Sequence, residues 1–318
     1  MSSNATVYPL VSVVIPAYNC ERFIGEAVES ALSQDYPNKE VIVVDDGSED
    51  ATLSEIQRFG QNISLCQQRN GGPGAARNHG ARFATGEYLA FLDGDDVWLP
   101  RKLSAQVEHI TANRDIGLVY GSWRQWHPKS DGTYPPASSF ATDFDSHSIE
   151  TRDSGSVYPL LLLDSIVCTI SVLMPRLLFE QLGGFNERLR RGEDYELWIR
   201  VSREVQIHKL SMTTALYRMH QTNTTQRPTL ENYEYLVVLE ALRRYGVSGP
   251  DGTTVSPEAL KRRLSALCFQ HGYQHFWRGS PGAATQGFCL AREHGDRSVK
   301  TLAYATASKI RAALQQIN

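Results

Sequence analysis

Short apolar runs alternate with amphipathic, helix-length segments through the first two hundred residues, and after that only helical periodicity remains. VSVVI (11–15) predicts a strand. Over 21–34, Phe23, Ile24, Ala27, Val28, Ala31 and Leu32 recur at helical spacing and share one face. EVIVVDD (40–46) predicts a second strand, and 47–60 a helix with Ser48 as N-cap and Gly60 beyond its end. NISLCQQ (62–68), a helix over 72–84 and EYLAFLD (87–93) continue the alternation, followed by a helix over 99–114 and a strand over 116–126. An aperiodic segment rich in Ser, Asp, Pro and Gly spans 127–156. Beyond it lie a short helix near 157–164, a strand near 166–174, helices over 176–182 and 192–204, and two strands, VQIHKL (205–210) and TALYRM (214–219).

Apolar strands without polar alternation, separated by helices, predict a Rossmann-like, mostly parallel α/β sheet covered on both faces. Ligands of such sheets sit beyond the carboxyl ends of the strands, so chemistry is expected after residues 15, 44, 68 and 92. The polar, Thr-rich stretch 221–229 reads as a linker, which divides an α/β domain (1–225) from a C-terminal helical appendage (226–318). Helices are expected there over 230–246, 257–278, 281–294 and 297–316. Gly272, Trp277, Gly279, Ala283 and Phe288 resemble one tetratricopeptide unit, and one copy is not an array.

Composition narrows the class. An apolar fraction of 41% and a charged fraction of 21% over 318 residues are those of a globular protein. A net charge of −3 supplies no general attraction to nucleic acid, and none is expected as a partner. The five cysteines are widely spaced without a CxxC pair, which points to reduced thiols rather than a disulfide framework or zinc site. No basic-then-apolar leader opens the sequence and no uninterrupted apolar run reaches about 18 residues, so a cytoplasmic protein is expected. The N-x-S/T triplets at Asn4, Asn62 and Asn223 are then chance matches.

Candidate chemistry gathers at the strand ends. In FLDGDDVW, Asp93, Asp95 and Asp96 repel one another unless a cation or ordinary capping of the next helix occupies them. Mg²⁺ or Mn²⁺ suits one or two such carboxylates completed by phosphate oxygens. Pro16 and Asn19 break the first strand, Tyr18 can stack on a planar base, and Asp45 can accept from a base N–H; the competing reading is plain turn chemistry. NGGPGAARNHG follows the third strand rather than the first, which argues against the dinucleotide fingerprint. There Arg77 is either a forked donor to a phosphate or base edge, or a surface arginine. Glu193 and Asp194 open a helix, where the helix dipole alone favours acids, or where one of them acts as a general base. Arg190 and Arg191 precede them and can hold Asp194 ionised or face a diphosphate.

Taken in order, VSVVIPAYNCERFIGEAVESALSQDYPNKEVIVVDDGSEDAT, NGGPGAARNHG, FLDGDDVW, GGFNERLRRGEDYELWIR and YRMHQTNTT resemble the motif series of family 2 glycosyltransferases, over about residues 10–225. The resemblance implies a GT-A fold and an inverting transfer of sugar from a nucleotide-diphosphate donor, usually a UDP-sugar. It implies Mn²⁺ or Mg²⁺ as cofactor. The acceptor would be a hydroxyl of a saccharide or lipid-linked molecule, in polysaccharide or glycolipid synthesis. By position it implies a nucleotide-sugar pocket of Pro16, Ala17, Tyr18 and Asp45, with Arg77 and Arg191 nearby and Asp93 on the ribose. Asp95 would ligate the metal with His220 close by, Asp96 being the alternative ligand, and Asp194 would be the base with Glu193 beside it. Trp123, Trp126 and Thr169 are candidate acceptor or donor-sugar contacts, the competing reading being that tryptophan is also a common core residue. A sugar-1-phosphate nucleotidyltransferase is the competing enzyme, and IPAYNCERF lacks its glycine-rich loop; a non-catalytic sugar-nucleotide-binding module is the third reading. The final helix is expected to pack on the core, with weak lipid contact through Ala303, Lys309, Ile310, Arg311 and Leu314 as the other reading, at the inner membrane face.

Overall fold

The computed structural model describes residues 8–140, 148–221, 223 and 228–317; Asn4 and most of the expected linker lie outside them. In chain order the elements are β1 (Val11–Ala17), α1 (Ile24–Leu32), β2 (Lys39–Asp45), α2 (Thr52–Gln57), β3 (Ser64–Gln67), α3 (Pro73–Phe83), β4 (Tyr88–Phe91), β5 (Val97–Trp98), α4 (Lys102–Ala112), β6 (Ile116–Trp126), α5 (Tyr158–Leu163), β7 (Val172–Pro175), α6 (Arg176–Gln181), α7 (Glu193–Glu204), β8 (Gln206–Arg218), α8 (Tyr233–Tyr245), α9 (Pro257–Arg278), α10 (Pro281–Glu293) and α11 (Val299–Ile317). They form two compact units, 1–157 with 166–220, and 158–165 with 221–318.

The first unit is built on an eight-stranded sheet in the order β3-β2-β1-β4-β7-β6-β8-β5. The β3-β2-β1-β4 half is parallel, as the unbroken apolar runs require, and every residue of β1 is buried. β7 is antiparallel to both β4 and β6, β6 and β8 are parallel, and β5 is antiparallel to β8, so the sheet is mixed. Helix α3 lies close against this parallel half because of Gly80. A Cβ there would meet Val14 Cγ1 at 2.5 Å and Val44 Cγ2 at 3.0 Å.

Several boundaries differ from expectation for identifiable reasons. The two strands expected over 205–219 are one, because register shifts near Gly121, Ser122 and Trp123 absorb the polar break at 211–213. Ser48 does not cap α2: its Oγ accepts the Asn19 N–H at 3.1 Å, and Asp50 Oδ1 accepts the Thr52 N–H at 2.9 Å instead. The expected helix over 99–114 starts at Lys102, after Arg101 in the left-handed region, because 97–98 pair with β8 as a two-residue strand.

The second unit is helical. Segment 158–165 belongs to it because the Tyr158 hydroxyl donates to the carbonyls of Ala241 and Gly246 at 3.2 and 2.7 Å. Ser256 and Ser280 cap α9 and α10, each followed by proline at the first helical position. The two helices cross backbone to backbone, since a Cβ on Gly287 would lie 2.7 Å from Gly272 Cα. Phe269, Phe276, Phe288 and Tyr304 fill the space beside that crossing. Among the described residues no helix is long and apolar enough to cross a membrane.

Candidate active site

The loops after β1 and β2 are laced together. Asn19, at φ +48°, accepts the Glu49 N–H through Oδ1 at 2.8 Å, and the Cys20 N–H donates to Thr52 Oγ1 at 2.8 Å. This leaves Pro16 and Ala17 buried as the last two residues of β1, Asp45 buried at the end of β2, and the Tyr18 ring exposed beside them. Asp46 anchors the glycine-rich loop: Oδ1 accepts from Gln68 Nε2 at 2.7 Å and from the Gly71 N–H at 2.8 Å, and Oδ2 from the Gly72 N–H at 2.9 Å. Gly72 sits at φ +90°. Gly74 lets the start of α3 close on α7, because a Cβ there would stand 3.0 Å from Glu193 Cγ and 3.4 Å from Phe185.

That approach decides the fate of Arg77. Its Nη2 donates to Asp93 Oδ1 at 2.6 Å and its Nη1 to Glu193 Oε1 at 2.9 Å, with the guanidinium buried beside the Phe185 ring. Read from the sequence as a donor to a phosphate or base edge or as a surface arginine, Arg77 forms an internal bridge between the end of β4 and the start of α7. The two acidic clusters, about a hundred residues apart in sequence, therefore meet on one cation. The bridge sets two acids against one positive charge, with the Asp194 carboxylate close by, and the imbalance is felt. Burial and then the Asp194 charge push the Glu193 carboxyl up to about 7 against the pull of Arg77. Burial likewise raises Asp93 above the ordinary carboxylate range, with Arg77 opposing.

Asp194 is the second residue of α7, behind Gly192 at φ 73°. Its Oδ1 accepts the Tyr195 N–H at 2.7 Å, and its Oδ2 accepts the Thr169 hydroxyl at 2.8 Å. Thr169 is buried on a short turn over Thr169–Ser171, so it holds Asp194 rather than offering a surface to sugar. Glu193 is buried while Asp194 is partly open, and Arg191 lies half-buried in the bend just before them.

On the other side of Asp93, the Asp95 carboxylate is partly exposed and its Oδ2 lies 3.0 Å from His220 Nε2. Asp96 is fully buried: Oδ1 accepts the Arg218 N–H at 2.7 Å, and Oδ2 has no hydrogen-bond partner among the described residues. Burial and the neighbouring Asp95 and Asp93 raise its pKa well above the ordinary value. Of these two aspartates, only Asp95 presents an oxygen outward.

Arg218 escaped the sequence reading although it holds this corner. Its Nε donates to the Asp95 carbonyl at 2.7 Å and its Nη2 to Glu26 Oε2 at 2.6 Å, and Trp126, Tyr134 and Phe23 stack around the guanidinium at 4.2, 4.7 and 4.8 Å. The available signal was an arginine inside the apolar strand TTALYRM. Of the two readings of Trp126, the core one holds: it is buried under Arg218 with its indole N–H on the Pro135 carbonyl at 3.0 Å, so it has no open face for a sugar. Trp123 keeps an exposed ring, edge-on to Tyr217 at 5.8 Å.

Among the described residues no three His, Cys, Asp or Glu side chains gather as a cage for an ion. Asp95 with His220 is a two-donor set, which fits a hard divalent cation only if substrate phosphate oxygens complete its shell.

A family model described as Glycosyl transferase family 2 matches residues 12–167. An uncharacterized glycosyltransferase of Rickettsia typhi is 36% identical over 236 residues, 73% of this chain and 71% of that protein. The chondroitin synthase of Pasteurella multocida is 28% identical over 245 residues, 76% of this chain but 24% of that much longer protein. Among solved structures, S. aureus TarS 1–349 in complex with UDP superposes with a TM-score of 0.60 at 20% identity, covering 95% of this chain and 88% of that one. The mannosyltransferase PcManGT from Pyrobaculum calidifontis, in complex with GDP-Man and Mn²⁺, gives 0.58 at 20% identity, covering 98% and 88%. These structural likenesses establish the GT-A type of fold. With the ordered motifs and the Rickettsia relative, the family follows: this chain belongs to glycosyl transferase family 2.

Proposed function

We propose that residues 1–157 with 166–220 form an inverting glycosyltransferase that moves a sugar from a UDP-sugar to a hydroxyl of a saccharide or lipid-linked saccharide. The observation that carries the proposal is the Arg77 bridge, which puts the acids that end β4 and the acids that open α7 around one cation. One substrate can then touch both. UDP in the TarS structure, GDP-Man and Mn²⁺ in the PcManGT structure, and the polysaccharide product named for chondroitin synthase support the substrate class.

In the proposed mechanism, Pro16, Ala17, Tyr18 and Asp45 receive the base and Asp93 the ribose. Asp95 and His220 would hold Mn²⁺ or Mg²⁺, which when bound neutralises charge gathering on the departing diphosphate. Asp194, fixed by Thr169 and open on one side, accepts the proton of the attacking hydroxyl at its carboxylate. Glu193 and Arg77 set the position of the α7 start rather than react. Trp123 offers the remaining exposed ring for an acceptor sugar.

The experiment is release of nucleoside diphosphate from a panel of UDP- and GDP-sugars, with Mn²⁺ or with chelator. Asp95→Ala is expected to lower Mn²⁺-dependent donor affinity by tenfold or more in calorimetry, with the metal-free affinity unchanged. Equal donor affinity of the variant with Mn²⁺, or no nucleoside diphosphate release from any donor, would overturn the assignment. Thr169→Val, nearly isosteric, removes one hydrogen bond to a charged carboxylate, which is worth about 1.5–3 kcal/mol. Turnover is expected to fall about 10- to 100-fold with donor KM unchanged, and a variant at wild-type turnover removes Thr169 from the site.

A further inference from the structure

Helix α11 is built inside out. Apart from Tyr304, which joins the aromatic cluster beside the α9–α10 crossing, the residues it buries against its own unit are small or polar: Thr301, Ala305 and Ser308. Its large aliphatic residues face away, with Val299 82%, Leu302 47%, Ile310 56% and Leu314 57% exposed. The spacing 299, 302, 306, 310, 314 keeps them, with Thr306, in one stripe along the helix. A helix made only to complete a soluble core would show the opposite pattern, and an apolar stripe of this length marks an interaction surface.

Charge indicates what the stripe meets. Residues 299–317 contain Lys300, Lys309 and Arg311 and no Asp or Glu. Asp296, just ahead of the helix, is turned inward, accepting from the Ser298 N–H and the Thr301 hydroxyl. Lys300 lies over the Phe269 and Tyr273 rings at 5.1 and 5.7 Å, and Arg311 over Phe276 at 4.8 Å, which sets both cations along one flank of the helix. The same flank carries two exposed amphipathic rings of α9, Tyr273 and Trp277. Aliphatic side chains in the middle, with aromatic and cationic groups along the border, match the layering of a lipid interface. A second copy is a poorer partner, because two-fold pairing of the stripes would set lysines and arginine against their own kind.

We propose that α11 seats the protein on an anionic bilayer surface, the stripe entering the acyl boundary while Lys300, Lys309 and Arg311 meet lipid phosphates. The proposal is independent of the catalytic reading, since its readout needs no sugar transfer.

The test is flotation of the full chain with vesicles of equimolar phosphatidylglycerol and phosphatidylcholine, beside vesicles of phosphatidylcholine alone. The chain is expected to float with the anionic vesicles and to be released by high salt. I310E/L314E is expected to abolish flotation with an unchanged circular dichroism melt. Should that variant unfold, K300Q/K309Q decides alone: losing two surface cations is expected to weaken vesicle binding about 30-fold. A wild-type chain that stays with the bulk solution overturns the proposal. So does flotation indifferent to these substitutions, or a wild-type dimer that I310E/L314E dissolves without any vesicle binding.

Discussion

Asp194→Asn is expected to lower sugar transfer about a thousandfold while leaving donor affinity and the melting temperature close to those of the wild type. The magnitude is that of a positioned general base. The fold should survive because asparagine is isosteric. Its carbonyl oxygen still faces the Tyr195 N–H, and the Thr169 hydroxyl can turn to accept where it now donates. The helix start loses one favourable charge, and Glu193 loses a repelling neighbour, so the two changes offset. Turnover within tenfold of wild type would move the base elsewhere. The same variant tests the electrostatics. Glu193 is pushed up to about 7, so the folded chain holds a proton that the unfolded chain has already released above its ordinary value of 4.5. Stability from this group is therefore complete below about 4.5 and is lost as pH rises through about 7. With the Asp194 charge gone that loss should shrink, which thermal melts across the window would register as a flatter profile.

Arg77→Met is expected to be the most destabilising single change in the catalytic unit. It leaves Asp93 and Glu193 facing each other without the cation that joins them. Removing one partner of a buried ion pair costs about 3–5 kcal/mol. For a domain of this size that corresponds to a fall of about 10 °C in melting temperature. Acidification should reverse part of the loss, because protonated carboxyls need no partner. Adding Glu193→Gln to Arg77→Met should recover part of it at neutral pH for the same reason. A melt within 2–3 °C of wild type, about 1 kcal/mol, would show that the bridge does not hold the two acid clusters together.

Much of this site was written along the chain. Asp45, Asp93 and Asp95 were nameable because each follows a strand-like run, and Asp194 because it opens a helical one. Such local signals need no knowledge of the rest of the fold. The glycine-rich run gave no hint of the side chains it closes on, Arg190 beside Gly72 and Glu193 beside Gly74. Arg218 was passed over, and Trp126 was left between a sugar contact and a core residue, for a shared reason: each is buried by the other, one as a cation and one as the ring beneath it, and no local pattern announces that pairing. The final helix was expected mainly to pack inward, because periodicity reveals that a helix has an apolar stripe but not which way the stripe turns.

The alternation of strands and helices, a mostly parallel sheet, the acids at its strand ends and the family were legible from the chain alone. All of these depend on residues close together in the chain. What needed the fold was that Arg77 closes on Glu193, 116 positions away, that Asp95 faces outward while Asp96 does not, and that α11 exposes its large aliphatic side chains. A residue's type limits what it can do, but its charge state, its partner and its exposure are set by neighbours that only folding brings within reach.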